Sequence, residues 1–535
     1  MSTSYTIGID YGTQSVRAVL VSTADGTIAA RAEQKYPRGA IRCLPDGTPV
    51  PADYVLWDAD DFIFPLPALI GTLTKEIPAS RIAGLGVDAT SATLVPCRRD
   101  LTPLSAVPAF SCQPHAYVKF WKHHCVEAQA AKLEEAAKRR NEPFLPRFGG
   151  HFSCEWTPAK MLQVYEEDRL SFDTADLFLD LCDYITARLT RTVTRSRNSA
   201  SFKGLWSPDG GDLSEDYLND AAPGFGTAYR EKVQQGKVVP AGGKSGTLSD
   251  EAAAWLGLPA GIAVSGGMMD GHAGVVGLGL SNPGDMAVII GTSNAIPFLC
   301  DRYLEVPGLF GIADGGIVPG LTAYTAGQIA TGDMLSWGVE TLARPEDYAD
   351  AEREGISLHT LFGRRAEADC PEKCPLTCLD WWNGSRCILS DPGLSGVIWG
   401  LRLDTKPHTV YCAMVQSIAC GTRMIMNRLG EYGLGVGRVV CCGGIPMKNP
   451  FLMQQYAELL GREVYAATES DCSALGMAVC AACASGVYPN LTECMAHMSH
   501  HQYTLYSPTR EKAANYEALY TRYRKLYSLL GNARL

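Results

Sequence analysis

The chain opens on three short runs rich in β-branched and small apolar residues, 5–10, 16–21 and 27–34, separated by a few polar or glycine positions. That pattern predicts strands joined by tight turns, an antiparallel meander laid down before any helix. Another strand is predicted over 81–89. Longer stretches with apolar residues three and four apart predict helices over 116–140, 157–167, 176–189 and 511–529. Past the middle the pattern begins again: a strand over 285–291, the turn Gly291-Thr292-Ser293-Asn294, and a strand over 295–299. This repeats the strand, Gly-Thr turn, strand order of 5–21 and predicts two similar lobes. A strand at 438–442 then leads through Gly443-Gly444 to a helix that Asn449 opens. The run 472–488, built from Ala, Gly, Cys and Ser, suits a tightly packed buried helix better than a membrane span.

Composition narrows the classes. A chain of 535 residues with 46% hydrophobic content can bury a large core and divide into two or more domains. Its net charge of -10, without blocks of like charge, argues against nucleic acid and anionic membranes as partners. The opening Met1-Ser2-Thr3-Ser4-Tyr5 has no basic region, so no signal peptide is expected. With 19 cysteines, the expectation is then reduced thiols in the cytoplasm. Cys370, Cys374 and Cys378 are spaced C-x3-C-x3-C with Cys387 nearby; this is not the paired spacing of structural zinc, and ordinary loop cysteines are expected.

The candidate chemistry gathers around Asp270. An apolar run ends in Ser265-Gly266-Gly267, and the acid then opens a small-residue helix, either as a structural cap or as a general base. Asp10 stands at a strand end, where it can hold a hydrated Mg2+. The N–H groups of Gly12-Thr13-Gln14-Ser15 can converge on phosphate oxygens, and the Gly291-Thr292 turn can do the same from a second lobe. Ser91 belongs to a run of small polar residues, Asp88 to Thr93, at a strand exit that suits a sugar-sized ligand. Gly443 and Gly444 would leave room for a flat base or ribose, because nothing projects from them. Lys203 lies between aromatics, and on its own it reads as a solvated side chain.

In their order these segments resemble the FGGY carbohydrate kinases of the actin/hexokinase/Hsp70-like ATPase superfamily, and within them the branch acting on L-ribulose. The carrying stretches are 7–18, 116–124, Ser153-Cys154-Glu155-Trp156, the Asp270 region, 290–293, Ala326-Gly327-Gln328, 380–384 and 443–449. The resemblance implies an α/β fold of two ribonuclease H-like lobes with a central cleft. Residues 1–282 would bind sugar and carry the first phosphate turn; 283–535 would bind nucleotide and end in a terminal helix. It implies ATP-dependent phosphorylation of the terminal hydroxyl of a ketopentose, L-ribulose first, with D-ribulose or another ketose or polyol as alternatives and a non-catalytic sensor as a third. Asp270 is then the base and Asp10 the Mg2+ residue. Gly12, Thr13, Gln14, Gly291 and Thr292 hold phosphates, while Gly443, Gly444 and Asn449 hold adenosine. Ser91, Trp121, Lys122 and Lys203 fall in the sugar pocket. One departure stands out: where those relatives carry a pocket glutamate, this chain has Thr325. Oligomeric state, a homodimer included, is left open.

Overall fold

The computed structural model describes residues 4–531; Met1, Ser2 and Thr3 of the opening stretch lie outside them. Two seven-stranded sheets organise the chain. The first contains β1 (Tyr5–Tyr11), β2 (Ser15–Ser22), β3 (Ile28–Lys35), β4 (Ile82–Ala89), β5 (Lys244–Thr247), β6 (Ala263–Ser265) and β7 (Met268–Met269). Their order is β5-β6-β4-β1-β2-β3, with β7 also paired to β4. The second contains β8 (Met286–Ile290), β9 (Asn294–Cys300), β10 (Gly311–Asp314), β11 (Thr322–Gln328), β12 (Val439–Cys442), β13 (Val464–Ala467) and β14 (Tyr503–Tyr506), in the order β10-β11-β9-β8-β12-β13-β14.

The halves share one plan. In the first, β1 pairs antiparallel with β2 and parallel with β4, and β4 pairs parallel with β6. In the second, β8 pairs antiparallel with β9 and parallel with β12, and β12 pairs parallel with β13. Each half therefore has a strand paired antiparallel to its hairpin partner on one side and followed on the other by two parallel strands, the ribonuclease H-like arrangement expected above. β1 is buried at all but its first residue, as a strand covered on both faces should be.

Two helices begin later than the periodicity suggests. α1 runs Glu127–Arg140, because Val118–Lys119 is instead a strand in a small sheet, paired with Leu56–Trp57 and Leu94. Trp121 and Lys122 thus lie in the turn before the helix. α2 runs Leu181–Thr190; Leu177–Asp180 pairs with Leu94–Cys97, and the Asp180 carboxylate caps the helix by accepting the Cys182 N–H. α3 (Arg197–Phe202) ends at Lys203. The later helices are α4 (Asp270–Gly277), α5 (Pro450–Leu460), α6 (Cys472–Ala484) and α7 (Ala513–Gly531). Asn449 opens α5 as its N-cap, after a short helical turn at Gly444–Lys448.

The run read as a buried helix, α6, ties the halves together. It lies on β1 and β4 and against α4, and glycines set the separation. A Cβ on Gly8 would stand 1.7 Å from the Ala474 carbonyl oxygen, and one on Gly476 would stand 2.0 Å from that of Ala273. Backbone meets backbone at these crossings, so the helix is held at one depth. Its first turn consequently reaches the cleft between the sheets. Among the described residues no helix is long and apolar enough to cross a membrane.

Candidate active site

A cavity of about 460 Å³ lies between the two sheets, at the ends of β1, β4 and β8. It gathers residues far apart in sequence: Asp10, Gly12, Thr13, Ser91, Trp121 and Lys203 with Asp270, Gly291, Thr292, Thr325, Gly443 and Gly444. The volume is that of a small-ligand site.

Asp270 is the first residue of α4, and Met269 holds the cap position. Among the described residues its carboxylate makes no capping bond to the second or third N–H of the helix; Oδ1 accepts the adjacent Gly271 N–H at 2.7 Å. Ser473 of α6 donates to the Asp270 carbonyl at 2.9 Å, which fixes the backbone behind the acid. Burial, and then the charge of Asp10, raise the Asp270 carboxyl to about 6. An acid held there ionises near neutral pH yet keeps an appetite for a proton, as a general base requires.

Strand register supplies the neighbours. Asp10 sits opposite Arg17 across the β1–β2 hairpin, and their side chains form an ion pair at 2.7 Å. On its other side Asp10 is in register with Asp88 of β4. Asp88 is fully buried, and neither carboxylate oxygen meets a donor among the described residues. Burial, and then the Asp10 charge, push its carboxyl well above the usual range. The donor set here is oxygen only. Among the described residues no three His, Cys, Asp or Glu side chains form a cage. These features fit Mg2+, which binds through one or two carboxylates and keeps its waters and phosphate oxygens.

The two Gly-Thr turns face the same cavity but are closed differently. Gly12 N–H bonds the Ser15 carbonyl at 3.0 Å, whereas Gly291 N–H bonds that of Ser293 at 2.9 Å. Trp121 Nε1–H donates to Thr13 Oγ1 at 3.3 Å and links the first turn to the sugar side. At the far end Gly443 has φ +101°, and a Cβ there would lie 2.5 Å from the Ile290 carbonyl oxygen; beside Gly444 there is open space.

Three expected residues lie outside the cavity lining. Gln14 and Lys122 are exposed, the Lys122 ammonium resting 4.9 Å from the Trp121 ring centroid. Asn449 is committed elsewhere: its oxygen caps α5 by accepting the Leu452 N–H, and its amide donates to Tyr411. Conversely, Arg17, Glu155, His272 and Arg386 line the cavity without having been singled out. Glu155 lies 3.2 Å from Lys203 and 2.8 Å from Arg386. Its stretch drew notice, but the partner is 231 positions away and only the fold reveals it.

Comparison with known proteins identifies the family. Residues 5–277 match the N-terminal domain of the FGGY family of carbohydrate kinases, and residues 286–485 match its C-terminal domain. The chain is similar to ribulokinases from Anoxybacillus flavithermus and Geobacillus thermodenitrificans, each 37% identical over 99% of this chain and 95% of theirs. In fold it is similar to xylulose kinase from Rhodospirillum rubrum, with TM-score 0.81 at 24% identity, covering 98% of this chain and 99% of that one. Glycerol kinase from Plasmodium falciparum, with ADP, shares the fold at TM-score 0.77 and 14% identity, covering 100% of this chain and 99% of that one. With both domains matched in order over most of its length, the chain belongs to the FGGY family of carbohydrate kinases.

Proposed function

We propose that this protein is a cytoplasmic ATP-dependent kinase that phosphorylates the terminal hydroxyl of a ketopentose, L-ribulose first, as a step of arabinose catabolism. The observation that carries the reading is the convergence of Asp270, both Gly-Thr turns and the Gly443-Gly444 shelf on one cavity. The full-length likeness to ribulokinases supports the choice of sugar. D-ribulose or another ketose or polyol is the second reading, left open because Thr325 stands where a glutamate is expected.

In this reading Lys203, Trp121, Ser91 and Thr325 hold the sugar, and Asp270 Oδ2 faces its terminal hydroxyl. Asp270 takes that proton as the oxygen attacks the γ-phosphoryl group, a contribution of roughly 10² to 10⁴ in rate. The N–H groups of the two turns receive phosphate oxygens from opposite lobes, and Gly443 and Gly444 floor the adenosine. Asp10 would hold Mg2+, with the buried Asp88 in register beside it; the ion would supply charge neutralisation on the phosphates. Closure of the cleft excludes water, which would otherwise compete as the nucleophile. The test is an ADP-release assay with L-ribulose, D-ribulose, L-xylulose and D-xylulose. Sugar-dependent turnover with at least one ketopentose is expected, L-ribulose leading; release independent of all four overturns the reading.

A further inference from the structure

Behind Thr325 runs a buried chain of hydrogen bonds whose direction can be worked out. Asn198 of α3 accepts the Met269 backbone N–H on Oδ1 at 3.0 Å, and its amide nitrogen donates to the Gly316 carbonyl at 2.6 Å. A backbone N–H requires an acceptor and a carbonyl requires a donor, so the amide can point only one way. The same Nδ2 lies 2.9 Å from His272 Nδ1. That ring nitrogen must therefore accept. His272 is buried, and burial first, then the charge of Lys203, lowers it to about 3, so it is neutral at physiological pH. Its one proton is then on Nε2, which stands 3.3 Å from Thr325 Oγ1. Thr325 accepts from His272, and among the described residues nothing else bonds its hydroxyl. Its own proton is left for the cavity that it lines.

We infer that Asn198 and His272 are positioning residues that fix the polarity of Thr325, making its hydroxyl a donor that recognises the C2 carbonyl of an open-chain ketopentose. The inference rests on the kinase reading above. In a pentulose, ring closure joins the C5 oxygen to C2. A sugar phosphorylated on its terminal hydroxyl must therefore be open, and it then carries a C2 carbonyl that can only accept. A glutamate at position 325 offers acceptors alone; the relay gives this chain the opposite polarity. Asn198 and His272 come from the first half and Thr325 from the second, so the donor is set only when the halves are together.

The polarity can be read directly and then reversed. With 15N-histidine in the full-length wild type, long-range 15N–1H spectra at pH 7 should show His272 protonated on Nε2, the signal being identified by its loss in His272→Gln. Kinetically, His272→Gln keeps an amide donor near the Nε2 position, whereas the isosteric His272→Glu offers only an acceptor and turns the Thr325 proton away from the sugar. The ratio of kcat/KM for L-ribulose to that for ribitol, whose C2 hydroxyl can donate, should stay within about threefold of wild type in His272→Gln. It should fall about tenfold or more in His272→Glu, through the L-ribulose KM. Protonation on Nδ1 overturns the inference whether or not the variants fold. Equal ratios in the Gln and Glu variants also overturn it, while leaving the kinase reading intact. A wild type that turns over neither L-ribulose nor ribitol overturns the carbonyl assignment together with the kinase reading, and only the tautomer would then stand.

Discussion

Glu155 of the first half and Arg386 of the second meet at 2.8 Å across the sugar side of the cleft. Burial alone would raise the Glu155 carboxyl, but Arg386, then Lys203 and His124, hold it well below the usual range. Arg386 in turn stacks 5.2 Å from the centroid of Phe310. A charge-assisted bond between lobes that lines the pocket favours the closed cleft and keeps Lys203 oriented. Arg386→Met should leave Glu155 with Lys203 and His124 as its partners, lower kcat/KM for the sugar about tenfold, and raise ADP release in the absence of sugar. Steady-state assays with and without sugar measure both; unchanged coupling would mean that the pair is only structural.

Gly443 and Gly444 should respond differently to substitution. The φ of +101° at Gly443 and the nearby Ile290 carbonyl make any side chain there a strain on the fold. Open space lies beside Gly444, so Gly444→Val should fold normally and fill the nucleotide shelf. The expected result is a melting temperature within about 2 °C of wild type and an ATP KM raised about tenfold or more, with the sugar KM little changed. Gly443→Ala should instead lower the melting temperature clearly. Equal effects on both KM values in Gly444→Val would assign the turn a structural role alone.

The seat of α6 on the first sheet gives a third expectation. Gly8→Ala would drive its methyl to 1.7 Å from the Ala474 carbonyl oxygen, a backbone atom with no freedom to rotate away. Overpacking of this kind costs about 1–3 kcal/mol or more where neighbours cannot shift. Thermal melts should show a loss of several degrees, whereas Gly71→Ala, with open space around it, should show almost none.

Much of this site was legible because local pattern fixes it. The Gly-Thr turns, the Asp270 helix start and the glycine shelf are each set by a few adjacent residues, and the repeat of the hairpin announced the second lobe. What escaped the sequence depends on register or on distance along the chain. Asp88 faces Asp10 only because β1 and β4 pair in parallel at those residues. Arg17 faces Asp10 because the turn between them sets the hairpin alignment. Glu155 with Arg386, and Asn198 with His272 and Thr325, are contacts between segments whose spacing carries no period. Asn449 shows the opposite failure. An Asn before a Pro-led helix is a strong cap, and here that local role takes its oxygen while the distant Tyr411 takes its amide nitrogen.

Asp270 carries the sharpest expectation, because the same carboxyl should govern both rate and stability. Its pKa is about 6 in the folded chain against an ordinary aspartate value of 3.8. Between those two values the folded state holds a proton that the unfolded state releases. Stability therefore falls as pH rises through that window, and the full penalty is present above pH about 6. An Asn at this position carries no ionisable group. Asp270→Asn should accordingly be more stable than wild type at pH 7.5, by about 1–3 kcal/mol from the size of the shift, and no more stable below pH about 4. Its kcat should fall by roughly 10² to 10⁴ while nucleotide still binds. In the wild type, kcat/KM for the sugar should climb as pH rises through about 6 and then level off, since only the ionised base takes the proton. Thermal melts at the two pH values, with initial rates across pH 5 to 8, measure all three. A variant that loses activity and also loses stability at pH 7.5 would place Asp270 in the framework of α4, and near-normal turnover would remove it from the chemistry altogether.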